Sequence, residues 1–185
     1  MDLTDTTAVN NNLLHSLFSQ CTVLLNGFPV TQSHEHYNYR AYLETLLTYG
    51  TDAASLHLSN YYWYLHNGDM KSCDPMVETF NSHTDDGFIA RTSRLIGSRY
   101  VQLFERLHTD LCNIPLFLLP KVQLQIKLTN ARPKFYLMNK SADTKITFKF
   151  LDAHLMVRRV QPNPLILSAH ETALAEGALA RYVMP

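Results

Sequence analysis

Few residues in this 185-residue chain have types and spacing suited to chemistry. His34-Glu35-His36 sets two imidazoles two positions apart, so on a strand both rings share a face and offer two metal ligands. No third ligand stands at a recognisable spacing and His-Glu-x-x-His is absent. A solvated loop is therefore the expectation, and a metal-dependent enzyme at His34 and His36 the lesser alternative. Asp85-Asp86 lies in a polar stretch without the EF-hand pattern, where like charges face water. No Gly-x-Gly-x-x-Gly, P-loop or Gly-x-Ser-x-Gly occurs. Cys21, Cys73 and Cys112 are odd in number and widely spaced, with no Cys-x-x-Cys, so they read as free thiols in a reducing compartment. The residues give no catalytic site, no metal site and no cofactor; the expectation is a protein that is not an enzyme.

Two groups remain as candidate interface residues. Tyr61, Tyr62, Trp63 and Tyr64 form an aromatic quartet, which either stacks a base or sugar or is buried in a core or subunit contact. Arg158 and Arg159 end an apolar stretch and suit either a phosphate or an inter-subunit salt bridge.

Composition narrows the function classes. Apolar residues make up 46% and charged residues 17%, below the roughly 25% usual in soluble domains, which argues against disorder and suggests a partly covered surface. Sixteen basic residues balance sixteen acidic ones, so specific nucleic-acid binding is disfavoured and self-association is easier. Nine histidines make the chain cationic below about pH 6. Asp2, Thr4 and Asp5 do not resemble a signal peptide, and the apolar run Ile114 to Leu119 is far short of the ~20 residues of a membrane span. An intracellular, non-secreted chain without a membrane span is expected.

The elements that must position these residues follow from periodicity. Asn10 to Gln20 carries Leu13, Leu14, Leu17 and Phe18 at helical spacing after an asparagine-rich start able to supply a cap. Asn26-Gly27 between apolar runs predicts a hairpin, with Pro29 limiting the return strand to a short or edge position. Tyr39 to Tyr49 predicts a helix with Tyr39, Tyr42, Leu43, Leu46 and Leu47 on its apolar face and Gly50 closing it. Thr51 to Leu58 suggests a second short helix, and 60–92 a long irregular loop. Val122, Leu124, Ile126 and Leu128 alternate with polar residues, predicting a strand over 121–129 with one dry face. Further strands are expected less cleanly over 100–108, over 135–138 after Pro133, and over 145–160, where the apolar phase flips between Phe150 and Leu151. Asn163-Pro164 opens a last helix reaching about Ala175, with Gly177 beyond it.

Several stretches, read together, resemble a known family. They are Asn12-Leu13-Leu14-His15-Ser16-Leu17-Phe18, Leu24-Leu25-Asn26-Gly27, Tyr39-Arg40-Ala41-Tyr42-Leu43-Glu44-Thr45-Leu46-Leu47, Leu107-His108-Thr109-Asp110 and Leu151-Asp152-Ala153-His154-Leu155-Met156-Val157-Arg158-Arg159-Val160, with Ala169-His170 in the last helix. In this order they resemble the hexon-like major capsid protein of Polinton/Maverick elements and adintoviruses, over about residues 9 to 182.

The resemblance implies a structural protein of double jelly-roll type, three copies of which make a capsomer, partnered by itself and other capsid proteins and located in the virion if viral. It implies a mainly β fold: an antiparallel jelly-roll sandwich, incomplete here, with short helices at start, middle and end. Residues 1–162 are then a partial jelly roll with the inserted helix 39–49 and the loop 60–92, and 163–185 a helical connector. The runner-up is a β-sandwich module that binds a glycan or other ligand through Tyr61 to Tyr64.

Overall fold

A computed structural model describes residues 7–31, 36–66, 86–95, 99–139 and 148–183. The chain divides into two units, residues 1–144 and 145–185, a boundary earlier than the 162/163 division expected from sequence.

In the first unit, β1 (Thr7–Val9) leads into α1 (Leu13–Ser16) and then β2 (Phe18–Leu25). The expected helix over 10–20 is thus one turn long. From Phe18 onward the backbone is captured by β4 (Leu124–Asn130), which pairs antiparallel along β2 from Phe18↔Asn130 to Leu25↔Leu124. That long-range ladder outweighs local helical spacing for Ser19 to Val23. The asparagines do not act as side-chain caps either: Asn12 occupies the cap position with φ 58° and no capping bond.

Asn26 and Gly27 adopt φ 51° and 83°, as a two-residue hairpin turn requires, and join β2 to β3 (Phe28–Pro29). The Asn26 side chain also accepts from Gln123 N–H at 2.8 Å, fastening the turn to the approach of β4. The resulting sheet has the order β3-β2-β4, so among the described residues β4 has an open edge. The dry face expected of this strand is incompletely covered, since Leu124 and Leu128 are both exposed.

The helix α2 (Tyr37–Thr48) forms where periodicity placed it, but rotated. Tyr37, Asn38, Ala41 and Thr45 are buried, whereas Tyr39, Leu43, Leu46 and Leu47 face outward, Leu47 being 82% exposed. Its charged side is anchored inward by ion pairs described below, and that decides which face is covered. Tyr42 alone of the apolar set is drawn in, against Trp63. After α3 (Thr51–Ser55) and a 3-10 turn (His57–Tyr61), Ala54, Leu58, Tyr61 and Trp63 form one core cluster with Leu14, Tyr42 and Tyr49 around it. A second cluster gathers Cys21, Val23 and Tyr37 with Phe18, Leu107, Leu111 and Ile126.

Within the loop expected over 60–92, residues 86–93 instead form α4 (Asp86–Ser93), whose Asp86 sits at the favourable positive end of the helix; residues 67–85 lie outside the described ones. The Nε of Arg91 donates to the Val9 carbonyl at 3.3 Å, tying α4 to β1. Residues 99–109 form neither helix nor strand among the described residues and lead into α5 (Asp110–Asn113). Residues 133–136 form the single turn α6 (Pro133–Tyr136) rather than a strand, because Pro133 presets the first helical position; β5 (Leu137–Asn139) then pairs antiparallel with β1.

In the second unit, residues 148–163 form neither helix nor strand, and α7 (Pro164–Ala175) follows with the bounds expected. Asn163 Oδ1 accepts from Leu165 N–H at 3.0 Å, and Gly177 closes the helix at φ 90°. Residues 145–147 of the expected strand lie outside the described residues.

The architecture is therefore mixed, helices with two small antiparallel sheets, and not plainly mainly β as expected. The strands expected over 100–108 and 145–160 do not form among the described residues. No helix among those residues is long and apolar enough to cross a membrane.

Candidate functional site

Ionisable groups converge at one place in the first unit. Along α2, the spacing of Tyr37, Arg40 and Glu44 puts all three toward the same side. The Arg40 guanidinium donates to Glu44 Oε1 at 2.7 Å and to both oxygens of Asp110 at 2.5 and 3.3 Å. His108 Nδ1 donates to Glu44 Oε2 at 2.7 Å. Tyr37 connects the other side: its hydroxyl lies 3.0 Å from His15 Nδ1 and accepts His108 N–H at 3.5 Å. The His15 and His108 rings meet edge-on with centroids 4.6 Å apart. One chain of contacts thus joins α1, α2, the 99–109 segment and α5.

Burial sets the protonation of these groups. Burial, helped by the nearby His108 and Arg106, pushes His15 down to about 3, so its ring is neutral. Burial also lowers His108, although Glu44 pulls the other way. For Glu44, burial alone would raise the carboxyl, but hydrogen bonds from Arg40 and His108 outweigh it and hold the group below its usual range. Hydrogen bonding to Asp110 raises Arg40 despite its partial burial. Cys21, beside Tyr37, is pushed up to about 11 by burial, so its sulfur is a thiol and a weak nucleophile.

This arrangement has the composition of acid–base machinery, but its two imidazoles are shut off from solvent while Arg40, Glu44 and Asp110 stay partly exposed. His15 and His108 are each 1% exposed, and Thr109 and Asn12 beside them are as deeply buried. What it does physically is fasten: Arg40, Glu44 and Asp110 form charge-assisted bonds across 70 residues of sequence. Sequence reasoning singled out none of these residues. The signal available was the Tyr37, Arg40, Glu44 spacing on the polar side of α2.

Three of the aromatic quartet, Tyr61, Tyr62 and Trp63, are buried and Tyr64 is half-buried; Trp63 packs against Tyr42 with ring centroids 4.9 Å apart. Tyr62, left-handed at φ 66°, and Tyr64 turn their rings toward Arg94, whose guanidinium carbon sits 5.9 and 5.7 Å from their centroids. A shallow groove of about 340 Å³ lies there, lined by Asn60, Tyr62, Arg94, Arg99, Tyr100 and Gln102. The Asn11 side chain holds this strip in place, donating to the Tyr64 carbonyl at 2.8 Å and accepting its N–H at 2.9 Å.

Arg158 and Arg159 are exposed in the second unit, on a stretch that is neither helix nor strand. His34 and Glu35 lie outside the described residues, while His36 precedes α2 with its ring edge-on to Tyr39, centroids 6.0 Å apart. Among the described residues, no three His, Cys, Asp or Glu side chains are grouped to hold a metal ion. In comparisons with known proteins, no family model, no curated protein and no solved structure matches the chain.

Proposed function

We propose that this chain is a structural protein that works by assembling with copies of itself: part of a Polinton/Maverick-type, adintovirus-like shell subunit, without a catalytic step. The observation that carries the reading is the orientation of α2. Its Tyr37, Asn38, Ala41 and Thr45 side faces in and its leucines face out, an arrangement that is unfavourable for an isolated chain and sensible for one whose surface is covered by neighbours. Exposed Leu124 and Leu128 on the open-edged β4, and the exposed apolar residues of 148–163, support it further. The sequence stretches shared with the capsid family support the jelly-roll assignment and trimeric capsomers, with the virion as the place of action, or the interior of a cell for a domesticated copy.

Light scattering after size exclusion tests the reading. Concentration-dependent oligomers are expected; a folded monomer persisting at high micromolar concentration overturns it.

The groove beside Tyr62 favours a second reading, a ligand-binding module with arginine-backed aromatic rings. Screening on a glycan array tests it, with Arg94→Ala as the variant expected to lose any signal. An array without hits removes this reading.

A further inference from the structure

We infer that the groove beside Tyr62 binds a phosphate group through Arg94 and Arg99, the phosphate being carried on a sugar or free in solution. The inference rests on the reading of that groove as a ligand site and gives its ligand a charge. The self-assembly reading does not depend on it.

Both arginines line the groove, with Asn60, Tyr62, Tyr100 and Gln102 around them and no carboxylate among the described lining residues. Every polar side chain there can donate a hydrogen bond, and the only formal charges are positive. Arg40 shows what an arginine of this chain does beside carboxylates: it binds Glu44 and Asp110. Arg94 and Arg99 have no such partner among the described residues. Two cations left without an acid at one place call for an anion. A phosphate monoester brings a charge of about −1.5 to −2 and three acceptor oxygens, which suits two guanidiniums better than a single carboxylate does.

The groove is held in shape by its own chain. Tyr62 sits at φ 66°, a backbone conformation uncommon for a residue with a side chain, and its carbonyl accepts Asn12 N–H at 3.0 Å. The Asn60 carbonyl accepts Phe104 N–H at 3.4 Å, which ties this strip to the segment that carries Arg99. The Arg94 guanidinium lies over the Tyr62 and Tyr64 rings, a contact that restrains it, while its N–H groups have no hydrogen-bond partner among the described residues. A planar fork held in this way can offer parallel donors to two phosphate oxygens. The exposed ring of Tyr100 places an apolar face beside the charge.

Calorimetric titration of the full chain with inorganic phosphate, glucose 6-phosphate and glucose tests this. One or both phosphates are expected to bind, with glucose at least about tenfold weaker. Which phosphate binds more tightly tells the esterified anion from the free one. Arg99→Gln is expected to weaken binding about tenfold by removing a charge-assisted bond. The thermal midpoint should not move, since Arg99 is exposed and unpaired. Arg94→Gln should weaken binding likewise and Arg94→Lys less, because lysine keeps the charge without the fork. Failure of both phosphates to bind, glucose binding as tightly as its phosphate, or phosphate binding that survives both glutamine variants overturns the inference. Hits for uncharged sugars on the glycan array would in that event leave the ligand-binding reading standing. No phosphate binding and no array hit removes both.

Discussion

His15 is the residue on which the acid stability of the first unit turns. It is neutral in the folded chain down to about pH 3, whereas in the unfolded chain it takes up a proton near 6.5. Between those values the unfolded state holds more protons, so stability is full above pH 6.5 and falls as the pH drops toward 3. The slope is about 1.4 kcal/mol per pH unit for this one ring. His108, also lowered by burial, and Glu44, held low by its partners, add loss in the same direction. Denaturant melts between pH 7 and 4 should show the decline, and His15→Phe should flatten it by about one proton. Trp63 makes a second residue-scale case. As a binding residue it would tolerate truncation, but it is buried with Ala54, Leu58 and Tyr61. Trp63→Ala is expected to cost about 3–5 kcal/mol, read as a lowered thermal midpoint; an unchanged midpoint would contradict the packing described.

At the scale of elements, local chemistry was legible and long-range partnership was not. The Asn26-Gly27 hairpin and α7 with its Asn163 cap follow from a few adjacent residues, and both form as the sequence indicates. Gly27→Ala tests the turn. Nothing lies within 4 Å of an added Cβ, so the expected loss of about 1–2 kcal/mol comes from the left-handed backbone alone. The midpoint of chemical unfolding reads it directly. By contrast, α1 stops after one turn because β4, more than a hundred residues later, takes the following residues into a sheet. The outward turn of the α2 leucines depends on Asp110 and His108, 70 and 64 residues beyond their partners. Periodicity identifies an apolar face but does not say that ionic anchors elsewhere will claim the opposite one. The His15–Tyr37–His108–Glu44 contacts were missed for the same reason, since no motif of fixed spacing joins α1 to the 99–109 segment.

For the whole molecule, the balance between inner anchoring and outer apolar surface governs behaviour in solution. Leu43 and Leu47 are exposed and contribute little to the fold of the isolated chain. Leu43→Lys with Leu47→Lys is therefore expected to leave the unfolding free energy within about 0.5 kcal/mol of the wild type, while reducing oligomer size in light scattering. A large drop in stability would mean that these leucines are covered within the chain itself. The second unit adds a consequence of its own. A twelve-residue helix is marginal in water, yet α7 carries an asparagine bond at its beginning and a glycine close at its end. In the assembly proposed above, a segment already wound at both ends would forfeit less conformational freedom on docking.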